Sequence, residues 1–242
     1  AWLGFMHVLE RKVRKKGFPS VRFNYTGIIC HHCHLQLYAE PGGVMYSALN
    51  RRKPPDKKGR NPSLVEEVYC HLNVSLLICG NNIQDKNKKF ITVVSEAINM
   101  LKIAGGDITD SGKQETGPFP DSKTRWCELR QCIAPGYALL ERRDVMVNAM
   151  NRGMDAMAAL LKYTTAPGSV LIPVVTGYQG ISPPGIAKNA RAEGIPHRFA
   201  ESVITLGEFR PVDKLLQPSA MMWGYHYLPD ENLYLCQQGK HD

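Results

Sequence analysis

The chain is short of acidic residues, and its cysteines follow no ordered pattern. Lys and Arg number 30 against 22 Asp and Glu, giving a formal charge of +8 and a pI near 9.1. That balance favours a polyanionic partner. The seven cysteines (30, 33, 70, 79, 127, 132 and 236) are odd in number and scattered, which argues against a disulfide framework. No stretch reads as a signal peptide, and no apolar run is long enough to span a bilayer. The expected setting is therefore reducing and cytoplasmic, with no membrane partner. A single Cys-x-x-Cys is present, Cys30 to Cys33, flanked by His31, His32 and His34. No second Cys-x-x-Cys or His-x₃-His pair completes a tetrahedral site. On a strand, Cys30, His32 and His34 face one side while His31 and Cys33 face the other, so the cysteines diverge. Neither a metal nor a cofactor is expected.

What is present suffices for folding. With 242 residues and 43% hydrophobic content, the chain can bury a core as one large domain or two small ones. Trp2, Phe5, Met6, Leu9 and Val13 fall on one face of a helix over 1–16, ending in the cationic turn Arg11–Lys16 and Gly17. That cluster suits the helix dipole or a phosphate. Extended structure is predicted over 21–40. The polar connection 41–63 carries six cations, Arg51, Arg52, Lys53, Lys57, Lys58 and Arg60, broken by two prolines. Such a segment is a solvated loop or an arm that orders on a phosphate backbone.

Alternation of Val68, Cys70, Leu72, Val74, Leu76 and Ile78 predicts a strand over 64–79. Phe90, Val93, Val94, Ala97, Ile98 and Leu101 predict a helix over 86–104, and 107–109 reads as a short strand. Helix, strand, strand, helix, strand, with one strand expected before Ala1, is the βαββαβ order of ferredoxin-like domains, the α+β fold shared by RNA-recognition domains. The boundary is expected near 110–125, giving a ferredoxin-like domain over 1–109 and a smaller C-terminal α+β region over 110–242. In that region the spacing predicts a strand over 136–140 and one helix over 142–163. Met146, Met150, Met154, Met157 and Leu161 line its face as core or as a partner surface.

The chain then reaches the stretch Gly177–Gly185, fed by the apolar run Val170–Val175. Glycines at 177, 180 and 185 permit positive φ and close approach to a ligand, and Pro183 and Pro184 stiffen the loop. Around it stand Tyr178, Gln179, Ser182, Lys188, Asn189, Arg191, His197 and Arg198. These residue types bind phosphates, stack on bases or hydrogen-bond base edges. No carboxylate pair accompanies them, and nothing around Ser182 resembles a nucleophile elbow. A strand over 202–209 and an aromatic segment, Met221–Tyr227, follow, the latter able to pack or to stack.

Several stretches, in this order, resemble one family. They are Gly4–Leu9, Gly27–His31, Leu64–Glu67, His71–Leu77, Ala104–Gly106 and Ala134–Leu139. Ile172–Val174, Gly177–Tyr178, Asn189–Arg191, Arg198–Phe199 and Leu206–Phe209 continue the series. The chain is similar to the Csy-type Cas-five subunits of the type I-F CRISPR surveillance complex (the Csy complex, or Cascade). The resemblance implies a ferredoxin-like RAMP domain and a non-catalytic role in antiviral defence, gripping the 5′ handle of CRISPR RNA. It implies pairing with the large Csy subunit, contact with backbone Csy subunits, and proximity to target DNA near the guide duplex. It also implies a thumb-like insertion, for which 41–63 is the candidate. In that family a strand and turn would precede Ala1, and the connections over 110–134 and 154–169 are longer. The competing class is a metal-independent endoribonuclease of the Cas-five family. It would need an acid and a base within reach of the reacting oxygens, and no histidine pair is evidently brought together.

Overall fold

The computed structural model describes residues 1–39, 42–43, 45–50, 65–83, 87–120, 123–186 and 194–239. In chain order its elements are α1 (Trp2–Lys15), β1 (Arg22–Leu35), β2 (Leu37–Ala39), β3 (Met45–Asn50), β4 (Val65–Glu67) and β5 (Cys70–Asn81). There follow α2 (Lys88–Asn99), β6 (Lys102–Ile103), β7 (Gly106–Asp107), α3 (Lys123–Ile133), β8 (Tyr137–Glu141), α4 (Arg143–Asn151) and α5 (Ala156–Thr165). The last are β9 (Leu171–Gly180), β10 (Gly185–Ile186), β11 (Pro196–His197), β12 (Ala200–Pro211), β13 (Met222–Leu228) and β14 (Leu233–Gln238). The fold is mixed α and β. Two compact units are distinguished: 1–29 with 76–242, and 30–75.

In the larger unit, a seven-stranded sheet runs β13-β14-β9-β12-β8-β1-β5, and β13 also pairs with β1. That extra pairing closes six strands into a ring, which removes most exposed sheet edge. Closure rests on two antiparallel residue pairs, Thr26 with Trp223 and Gly27 with Met222. Inside, Ile28, Leu139 and Trp223 pack with Leu3, Ile172, Val174 and Cys236. The indole of Trp223 satisfies its polar edge by donating to the Leu139 carbonyl at 2.9 Å.

Helices pack against the sheet because each brings one apolar stripe. α1 and α2 pack through Phe5, Met6, Leu9, Val13, Phe90, Val93 and Ala97, joined by Val21 and Phe23. Asn87 caps α2, its side chain accepting from the Phe90 amide at 3.1 Å. Glu10 of α1 is buried and accepts the Phe23 amide at 2.7 Å, tying the helix to β1. Two cations at the end of α1 are engaged within the chain: Arg14 lies 3.6 Å from Glu10, and Lys16, just past the helix, 2.7 Å from Glu96. α3 seats Trp126 and Ile133 against Leu140, Val212, Leu215 and Met221.

The structure departs from sequence expectation in several places, among them β3 inside the 41–63 connection and α3 beginning within the loop expected over 110–125. The strand predicted at 64–79 is two strands, β4 and β5. The short strand near 107 joins the small β6–β7 hairpin and not the large sheet, whose members besides β1 and β5 come from the C-terminal half. The helix predicted over 142–163 is two, broken at Gly153 (φ 85°), with Asp155 capping α5 through the Met157 and Ala158 amides. The methionine stripe is split with it: Met146 is buried while Met150 and Met157 are exposed.

The smaller unit holds a three-stranded sheet, β2-β3-β4, in which Tyr38 and Tyr46 face each other across the strands with rings 5.6 Å apart. The histidine-rich end of β1 lies here. His31 is 2.8 Å from the Ser75 hydroxyl, and the Gln36 amide nitrogen is 2.6 Å from His71 Nε2. Burial, and next the neighbouring Cys33, hold the Cys70 thiol above its usual range. Among the described residues no group of three or more His, Cys, Asp and Glu is gathered as a metal site.

Candidate nucleic-acid interface

The stretch 177–185 is not a free loop. Gly177 to Gly180 continue β9, paired with β12 on one side and β14 on the other: Ser202 with Tyr178, Ala200 with Gly180, and Tyr234 with Tyr178. A bulge interrupts the β9–β12 register at Val203/Ile204, where Thr176 is the unmatched residue. Gly177 sits at that bulge with φ 158°, a positive value of the kind expected there and one that residues with a side chain rarely adopt. Gly180 and Gly185 do not have positive φ. Gly177 packs closely against the Tyr234 carbonyl and Gly180 against the Arg198 side chain, whereas Gly185 has open space beside it.

Beyond Gly180 the chain turns through Ser182, Pro183 and Pro184 and returns as the β10–β11 hairpin, Gly185 opposite His197. Ser182 Oγ accepts the Phe199 amide at 2.9 Å, and the Ile181 amide donates to the Phe199 carbonyl at 3.0 Å. Proline and these two bonds hold the corner in place. The Gln179 amide nitrogen donates to the Glu231 carbonyl at 2.7 Å. Arg198 donates to the Asn232 side chain, and its guanidinium lies over Gly180. Alternation along β9 places Tyr178 and Gly180 on one face. The open Tyr178 ring, 53% exposed, and the Arg198 cation therefore share that face.

Five of the residues singled out from sequence thus come together: Tyr178, Gln179, Ser182, His197 and Arg198. Lys188, Asn189 and Arg191 lie outside the described residues, as do Arg51, Arg52, Lys53, Lys57, Lys58 and Arg60. Among the described residues, no helix is long and apolar enough to cross a membrane.

Comparison with known proteins gives this face its context. A family model described as CRISPR-associated protein (Cas_Csy2) matches residues 1–167 and 164–236. The chain belongs to the Csy2 family of CRISPR-associated proteins. It is similar to CRISPR-associated protein Csy2 of Pseudomonas aeruginosa (strain UCBPP-PA14), at 26% identity over 284 residues covering 97% of this chain and 85% of that protein. Both matches carry the Csy2 name, and neither carries a Cas-five designation.

For this Csy2-family chain, the geometry adds residues that the sequence reading did not place at the site. Tyr234 stands opposite Tyr178, and Tyr227 opposite Tyr234. The rings of Tyr225 and Tyr234 stack at 5.9 Å and 24°. Burial pushes the Tyr234 phenol up to about 12, with Cys236, Tyr225 and Tyr178 adding to the shift. The signal available in the sequence was the aromatic segment Met221–Tyr227; only the β13–β14 hairpin brings it to Tyr178.

Proposed function

We propose that the chain is a non-catalytic RNA-binding subunit of a type I-F CRISPR surveillance complex, the Csy complex, gripping the 5′ handle of CRISPR RNA. The observation that carries the reading is the exposed Tyr178 ring beside the Arg198 guanidinium on one face of β9, in a basic chain of a CRISPR-associated family. A flat ring and a cation side by side suit a splayed base and its phosphate. Lys188, Arg191 and the cations of 51–60 add phosphate contacts, and Asn189 supplies an amide for base edges, while Gln179, its amide nitrogen given to the Glu231 carbonyl, has its side-chain oxygen to offer. His197 and Ser182 position the corner that carries Arg198. In this reading the chain acts in the cytoplasm as a Cas-five subunit. It pairs with the large Csy subunit, meets the backbone Csy subunits, and lies near target DNA. The α1–β1–β5–α2 portion is its ferredoxin-like part, and 41–63 its thumb. Co-expression with the neighbouring subunits and a CRISPR array, followed by sequencing of the co-purified RNA, tests the assignment. The expected result is intact guide RNA with a common 5′ end; RNA of random sequence would contradict it.

A further inference from the structure

At one end of the closed ring the face that is aliphatic inside becomes a row of tyrosines. Residues two apart on a strand share a face, and so do residues directly opposite in register. Trp223, Tyr225 and Tyr227 therefore share a face of β13, and Tyr234 and Cys236 share the matching face of β14 through the pairs Tyr225 with Cys236 and Tyr227 with Tyr234. The pair Tyr234 with Tyr178 carries that face onto β9. Trp223 and Cys236 belong to the ring interior. The tyrosines are the next layer outward, beyond the two residue pairs that close β13 onto β1. There a cleft of about 250 Å³ lined by Phe23, Asn24, Tyr25, Tyr225 and His226 opens.

A core layer would be covered, and this one is not: Tyr178 and Tyr227 are more than half exposed, Tyr225 38%. α1 touches its edge, His7 meeting Tyr225 edge-on at 6.4 Å. Arg198 stands at the β9 end, over Gly180. Strands lie about 4.8 Å apart, so a row crossing three of them is about 10 Å wide, room for two or three bases.

We propose that Tyr178, Tyr227 and Tyr234, with Tyr225, form a stacking platform for unpaired nucleotide bases, with Arg198 taking an adjoining phosphate. This deepens the RNA-binding reading and rests on it. The platform takes single strands and not duplex, because bases within a duplex are already stacked on their neighbours and offer no free face along it. It binds with little regard to base identity, because every base has a π face. Net charge of +8 and the cation at the row's end favour a nucleic-acid strand over an apolar peptide as occupant.

The test is fluorescence anisotropy of the full chain with labelled decauridine and with labelled duplex RNA. Tyr178→Leu and Tyr227→Leu are each expected to weaken decauridine binding about tenfold, while Tyr178→Phe and Tyr227→Phe stay within about twofold. The salt slope should be unchanged, since stacking releases no counterions. Photocrosslinking of decauridine to the wild-type chain needs no variant and should label the 171–180 and 222–238 peptides. Leucine variants that bind as wild type, or crosslinks confined elsewhere, would overturn the platform and leave the RNA-binding reading standing. A wild-type chain that binds no RNA would overturn both. Leucine variants that keep their RNA affinity but no longer assemble with co-expressed subunits would give the row to a protein partner, and also overturn it.

Discussion

Gly177 lies so close to the carbonyl oxygen of Tyr234 that a β-carbon added there would sit 2.1 Å from it. The neighbour is backbone, which cannot move aside without parting β9 from β14, and that pairing sets Tyr178 opposite Tyr234. Gly177→Ala is expected to cost on the order of 2–3 kcal/mol of stability. Thermal melting and RNA affinity should fall together.

Gly180 makes the contrasting case. A β-carbon there would meet the Arg198 side chain, at 2.8 Å from both Cδ and Nη1. A flexible side chain can yield, so Gly180→Val should change the melting temperature little while displacing the guanidinium. RNA affinity should fall about tenfold, matching Arg198→Ala, as expected when a charge-assisted hydrogen bond of about 1.5 kcal/mol is removed. Additive losses in the double variant would show that the two positions act separately.

These two glycines mark where the sequence was legible and where it was not. Helical periodicity located α1 and α2 because their apolar stripes face one sheet. Alternation located β5, while β1 was legible only as extended structure because Thr26 to Ile29 are all buried and both of its faces are covered there. The ring closure was not legible: β13 pairs with β1 across nearly 200 residues, and nothing local in Thr26–Gly27 announces Met222–Trp223. Gly177 and Gly180 read as a loop because glycine signals both tight turns and close strand packing, and only the partner strand decides which. The Arg142–Tyr163 helix was read as continuous because its apolar spacing runs on through Gly153, whose left-handed conformation ends α4.

The carboxylate of Glu208 receives Arg142 at 2.6 Å and Arg210 at 2.9 Å. Hydrogen bonding from Arg210, and also from Arg142, holds its pKa below the ordinary carboxylate value. A depressed folded-state pKa stabilises the fold above the unfolded value, and the gain is lost as pH falls through the folded one. Glu208→Gln should therefore cost about 1–2 kcal/mol at neutral pH. Denaturant melts should show the gap between variant and wild type closing as pH drops below about 4.

Replacing Arg51, Arg52, Lys53, Lys57, Lys58 and Arg60 together by Ser should weaken binding to RNA of any sequence. The slope of log affinity against log salt should flatten by about 0.7 for each phosphate of a single strand that is no longer neutralised. An unchanged slope would assign these cations to solvation alone.

The central claim is that this Csy2-family chain recognises the handle of CRISPR RNA. It is tested most directly by filter binding in which unlabelled handle RNA, scrambled RNA of equal length and duplex DNA compete against labelled handle RNA at fixed salt. The account predicts that handle RNA competes best, that scrambled RNA needs at least tenfold more, and that Asn189→Ala narrows that gap. Equal competition by handle and scrambled RNA, or stronger competition by duplex DNA, would contradict it.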